Sequence, residues 1–137
     1  MIIRKGCAED LPLVYDSWVN SYRGSYFAEG MKHAGLSYSR FQDMLIKNIL
    51  GRDSVALTVA VWDSGGDGGD DADAPVVGWA CTEGSVLHYV WVRTPWRGPE
   101  TGVAKALLGD LGQYTTATHK TRALPNGMRQ DWMRVWA

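Results

Sequence analysis

The chain has 137 residues, 45% of them apolar and 21% charged, with a formal net charge of −1. That length leaves room for one domain, residues 1–137, able to bury roughly two thirds of the surface its unfolded chain exposes. The balanced charge excludes a strong field for nucleic acid or an anionic membrane, no run reaches the ~18 apolar residues of a membrane span, and two cysteines outside any CxxC spacing exclude a disulfide framework.

Met1 to Lys5, with Ile2 and Ile3, reads as a short strand. Glu9 and Asp10 stand where acids favour a helix start, Pro12 fits a first turn, and Leu11, Val14, Tyr15, Trp18, Val19 and Tyr22 recur at helical spacing. Arg23 to Ser37 holds three glycines without sustained period and reads as a loop. Ser39-Arg40-Phe41-Gln42 has the form of a capping box, opening a helix that buries Phe41, Leu45 and Ile49 and ends near Gly51. Ser54 to Trp62 is a β-rich run of the kind covered on both faces. Residues 63–75, with four glycines and five aspartates, read as a flexible acidic loop.

Val76 to Glu83 and Ser85 to Arg93 form two strands joined at Gly84. Thr101 to Gln113 is expected as a helix with Ala104, Leu107, Leu108 and Leu111 on one face, and Tyr114 to His119 as a fifth core strand. Residues 120–137 form a short closing segment, in which Met128 to Trp136 carries Trp132, Met133 and Trp136 as a short amphipathic piece, expected as a helix. The order β, α, α, β, β, β, α, β predicts an α/β (α+β) fold with a mixed sheet, an antiparallel meander running into a parallel crossover.

Chemistry concentrates where the fourth strand meets the third helix, from Leu87 through Arg97-Gly98-Pro99-Glu100-Thr101-Gly102-Val103-Ala104. Glycines let a backbone approach a ligand closely, amides converge at a helix start, and Arg97 can add a bidentate contact to phosphate. A pyrophosphate suits such a turn. Gly102-Val103 excludes a Walker loop, and the GxGxxG of a dinucleotide site is missing after a first strand. From Arg93 onward seven bases stand against three acids, either as solvated surface or as an anion site. No Cys/His/carboxylate spacing of a metal site, no nucleophile elbow and no nucleic-acid motif is visible, so neither a metal nor a nucleic-acid partner is expected.

The Arg97–Ala104 turn resembles motif A of the GNAT superfamily of acyl-CoA N-acyltransferases, an Arg/Gln-x-x-Gly-x-Gly/Ala signature. Ile3-Arg4-Lys5 and Glu9-Asp10-Leu11-Pro12-Leu13-Val14 are similar to that family's opening, and the element order matches over about residues 1–120. The compact form is similar to versions found in bacteriophages and prophages. The resemblance implies a GNAT-like fold with a truncated C-terminal part, and acetyl-CoA as cofactor, held by Val90, Trp91 and Val92 on the fourth strand and by Arg97, Gly98, Thr101, Gly102, Val103 and Ala104 in the turn. Two departures stand out. Placing Gly102 and Ala104 on the family's small residues puts Arg97 two positions early, whereas placing Arg97 first puts the Glu100 carboxylate against phosphate. The tyrosine that serves the family as general acid has no counterpart in Met128 to Ala137.

The implied activity is transfer of an acetyl group to a small-molecule or protein amine by direct attack; the alternative is a GNAT-like module that binds CoA or a partner with little or no turnover. Such an attack needs a base for the ammonium proton. His88, His119 and Glu83 are the candidates, each also readable as a structural or surface residue. Trp18, Ser21 and Tyr22, at the end of the first helix, would border the acceptor pocket unless Trp18 and Tyr22 are core. The N-terminus has no apolar leader, so the cytoplasm is the expected location. A shortened sheet edge is compatible with a homodimer.

Overall fold

The computed structural model describes residues 1–23, 34–35, 37–62, 75–119 and 128–130, with Arg129 and Gln130 described by backbone alone. The elements run β1 (Ile2–Lys5), α1 (Leu11–Tyr22), α2 (Tyr38–Leu50), β2 (Ala56–Val61), β3 (Val76–Glu83), β4 (Val86–Val92), α3 (Val103–Leu108), β5 (Thr116–Ala117) and β6 (Arg129–Gln130). They build one sheet in the order β1-β2-β3-β4-β5-β6. Pairing is antiparallel from β1 to β4, then parallel from β4 to β5 and from β5 to β6. This is the mixed α/β arrangement that the element order predicts. Among the described residues no helix is long and apolar enough to cross a membrane.

Two apolar layers cover the sheet. On one face Val14, Trp18 and Tyr22 of α1 and Leu45, Ile46 and Ile49 of α2 pack on Val59, Val61, Trp79, Cys81 and Tyr89. The helical stripe at i, i+4, i+8 along α1 is therefore the buried stripe. On the other face Val103, Leu107 and Leu108 of α3 pack on Ala60, Val77, Ala80 and Leu87. Gly78 makes that approach possible, because a Cβ there would stand 2.9 Å from Trp91 O and 3.0 Å from Val103 Cγ1. Each large side chain so covered contributes about 1.5–3 kcal/mol.

Four sequence expectations are corrected. The Ser39–Gln42 capping box does not form: α2 starts two residues earlier with Ser37 at its N-cap, Ser39 accepts from Arg23 Nη2, and Gln42 is buried on the core side. Asp10, by contrast, stands at the start of α1 where the sequence places an acid, and its side chain accepts a bidentate contact from Arg4 at 2.7 and 2.8 Å and the Cys7 N–H at 2.8 Å. These donors, Arg4 first, hold its carboxyl down at about 2. The helix expected over Thr101–Gln113 is only Val103–Leu108, because Gly109 at φ +67° turns the chain out of it, and Leu111 starts a separate single turn. The strand expected over Tyr114–His119 pairs only at Thr116 and Ala117. The chain at Arg129–Gln130 is strand where a helix was expected, since it pairs with β5. The acidic segment 63–74 and residues 131–137 lie outside the described residues.

Candidate active site

The register of β4 against β3 runs Gly78↔Val92, Trp79↔Trp91, Ala80↔Val90 and Cys81↔Tyr89, then jumps to Thr82↔Leu87. His88 is thus the extra residue of a β-bulge. Beyond it, Arg93 N–H donates to Val77 O. By antiparallel alternation the backbones of Tyr89 and Trp91 also face β3, and those of Val90 and Val92 face the other way. On that side β5 pairs only as far as Val86 and Leu87, with Thr118 N–H added to Leu87 O. Among the described residues, the polar backbone of Val90 and Val92 therefore lines a gap where β5 has parted from β4. Arg97 Nε donates to Val92 O at 2.7 Å.

This gap is part of a cleft of about 460 Å³. Val90, Trp91 and Val92 form one wall, and Trp96, Arg97, Gly98, Thr101 and Ala104 come from the turn that follows. Gly98 sits at φ +117°, ψ 151°, a conformation open essentially to glycine alone. Thr101 holds the turn closed, its hydroxyl donating to Trp96 O at 2.6 Å and Gly98 O at 2.9 Å. Among the described residues no acceptor takes the amides of Gly102, Val103 and Ala104. Seven of the nine residues expected around a cofactor thus border one cleft. The other two shape it from behind: Gly102 makes the left-handed turn at φ +69°, and the Val103 side chain is buried against Gly78. Glu100 is not in the lining, but its carboxylate lies against Gly98, where an added Cβ would meet Oε1 at 2.6 Å.

At the other end of the cleft stand Ser21 and Tyr89, joined by a 2.7 Å bond between their hydroxyls. Burial pushes the Tyr89 phenol pKa up. Trp18 and Tyr22, the other two residues expected beside the acceptor, are core. Trp18 stacks on Tyr89 at 5.1 Å, Tyr22 meets Tyr89 edge-on at 5.9 Å, and neither lines the cleft.

The three candidate bases form a connected chain behind the cleft. Glu83 accepts from Arg52 Nη1 at 3.1 Å, from the Ser54 hydroxyl, and from His88 Nε2 at 2.9 Å. The Ser54, His88 and Arg52 donors keep its carboxyl at about 2. A carboxylate accepts only, so His88 carries its proton on Nε2, and its Nδ1 takes the Thr118 hydroxyl at 3.0 Å. The Thr118 oxygen then accepts from His119 Nδ1 at 2.9 Å, and His119 Nε2 accepts from Gln42 Nε2 at 3.1 Å. One orientation of four bonds accounts for both neutral rings and fixes the Gln42 amide, whose Oε1 has no partner among the described residues. Burial lowers the pKa of both histidines, that of His119 to about 3. None of the three lines the cleft. Among the described residues no three His, Cys, Asp or Glu side chains group to hold a metal.

In sequence, neither a family model nor a curated protein matches the chain. In structure it is similar to a crystal structure of "a probable acetyltransferase", with 20% identity and a TM-score of 0.48, over 79% of this chain and 66% of that one. It spans just under two thirds of that neighbour's length. So distant a likeness says nothing of substrate or activity, which rest on the geometry of the cleft.

Tyr89 and Trp96 are the lining residues that sequence reasoning missed. Trp96 had a signal, as an aromatic beside Arg97. Tyr89 had none, because the bulge that sets its direction leaves no mark in an apolar run.

Proposed function

We propose that the chain is an acyl-CoA-dependent N-acyltransferase passing an acetyl group from acetyl-CoA to a small-molecule or protein amine. One observation carries this reading: the open backbone edge at Val90 and Val92 runs without a break into the Arg97–Ala104 turn. A pantetheine arm presents amides and carbonyls, which add to a free strand edge as another strand would. Val90 N–H, Val90 C=O and Val92 N–H are groups of that kind. Arg97 has two terminal guanidinium nitrogens left for pyrophosphate after Nε bonds Val92 O. The residues therefore fit the cofactor, which when bound would supply an acetyl group activated as a thioester.

The protein's own contribution follows from what lines the cleft. Tyr89 lies three residues from Val92, roughly 10 Å along the strand, and its raised pKa keeps a proton available for a leaving sulfur. Ser21 orients that hydroxyl. The attacking amine would lose its proton to water, because Glu83, His88 and His119 stand behind the wall. That last fact favours a second reading, a module that binds CoA or a partner without turnover.

Thermal shift with acetyl-CoA tests both. Ligand at about 100 times Kd adds about 2.7 kcal/mol, which is several degrees for a domain of this size. No shift at millimolar acetyl-CoA would remove the enzyme and the CoA-binding module alike, leaving only a module for another partner. Release of CoA thiol across a panel of amines then separates enzyme from binder. Arg97→Ala should weaken acetyl-CoA by about tenfold or more.

A further inference from the structure

A large aromatic surface lies just outside the cleft and takes no part in the reading above. Trp62 follows β2 and remains 41% exposed. Its ring stands 4.5 Å from that of Trp96 at 44°, and Trp96 in turn borders the cleft next to Arg97. Tryptophan offers the largest apolar area of any side chain, and leaving that much of it in water costs free energy unless something covers it. Trp96 is packed from below by the α3-side core, so Trp62 is held in place while part of its ring stays accessible.

We propose that Trp62 and Trp96 form a stacking platform for the purine ring of a nucleotide whose phosphates lie beside Arg97. This rests on the acyl-CoA reading and extends it to the adenosine end of the cofactor. Two features suit the purine of that cofactor. Trp62, inclined at 44° to Trp96, leaves part of its ring open to a base π-face. Trp96 lines the cleft together with Arg97, the residue that follows it, so the aromatic pair adjoins the charge that suits the anionic part of a ligand. Stacking on an aromatic side chain contributes about 1–3 kcal/mol per base, or about 5- to 150-fold in affinity.

The test uses three probes on the whole chain: CoA, 4′-phosphopantetheine (which lacks adenosine) and adenosine 3′,5′-bisphosphate. Titration calorimetry of wild type, Trp62→Ala and Trp62→Phe gives the affinities. CoA and the bisphosphate should lose at least about fivefold in Trp62→Ala and recover most of it in Trp62→Phe, with 4′-phosphopantetheine unchanged. Equal affinity of CoA for wild type and Trp62→Ala overturns the platform and leaves the acyl-CoA reading standing. Equal loss for all three probes overturns it too, as damage to the turn. Binding of the bisphosphate that depends on Trp62, with no binding of 4′-phosphopantetheine, keeps the platform and removes the pantetheine site. No binding of any probe to wild type overturns both.

Discussion

Lowering the pH should unfold this protein through its buried histidines well before its carboxylates matter. In the unfolded chain a histidine titrates near 6.5, whereas burial holds His119 neutral down to about 3. Between those values the unfolded state binds one proton more, so stability is complete above about pH 6.5 and falls as pH drops below it. The loss approaches about 1.4 kcal/mol per pH unit, reaching roughly 2.7 kcal/mol at pH 4.5. His88, also lowered by burial, adds in the same sense. Asp10 and Glu83, held at about 2, keep their contributions until pH falls below the ordinary carboxylate range. For a domain worth about 5–15 kcal/mol, this loss is large. Urea unfolding at pH 7.5, 6.5, 5.5 and 4.5, extrapolated to water, measures it. His119→Gln should flatten the slope by about one proton. Should that variant fold poorly, the His119 ring resonance of wild type provides the same answer by staying in its neutral position down to pH 4.5. A wild-type stability independent of pH between 6.5 and 4.5, or a His119 ring that titrates near 6, would refute the reasoning.

The turn and the sheet give further outcomes. Glu100→Gln removes a carboxylate lying against Gly98 and should tighten acetyl-CoA a few-fold, more at low salt than at high; an unchanged Kd would place phosphate elsewhere. Gly98→Ala forces a side chain into φ +117° and onto Glu100, and should cost about 1–3 kcal/mol in chemical unfolding while abolishing the thermal shift with acetyl-CoA. Gly78→Ala should cost about 1–3 kcal/mol, since its Cβ would meet the Trp91 carbonyl and Val103. Asp10→Asn should lower stability at pH 7 by about 1–2 kcal/mol, a difference that shrinks as pH falls from about 4 to 2 and the wild-type carboxyl takes up its proton.

The elements that could be read from sequence are those fixed by local pattern. The stripe of Val14, Trp18 and Tyr22 and the β-rich runs ending at Val61, Glu83 and Val92 state their own periods, so α1 and β2 to β4 fall where expected. Gly109 was visible too, yet three leucines around it suggested a longer helix than one glycine at φ +67° allows. Gln42 illustrates the other limit: a polar residue at a capping position looks local, and only tertiary contact with His119, seventy-seven residues later, draws it into the core. The cleft wall was legible in part because Val90 to Val92 and Arg97 to Ala104 are contiguous. The histidine chain was not, since it joins α2, β4 and the residues after β5, and no spacing along the sequence encodes that meeting.

The bulge at His88 separates two properties that plain strands keep tied. Leu87 and Val90 share the α3 side although they are three residues apart, which means β4 carries one residue beyond even parity. Deleting His88 would restore ordinary pairing without turning any side chain from Tyr89 to Val92 over to the opposite layer. It would remove the kink, the tether to Thr118 and the bond to Glu83. A shortened β4 would thus keep its facing and lose its stand-off from β5, so the width of the opening is inherited through strand length rather than through the identity of the residues that line it.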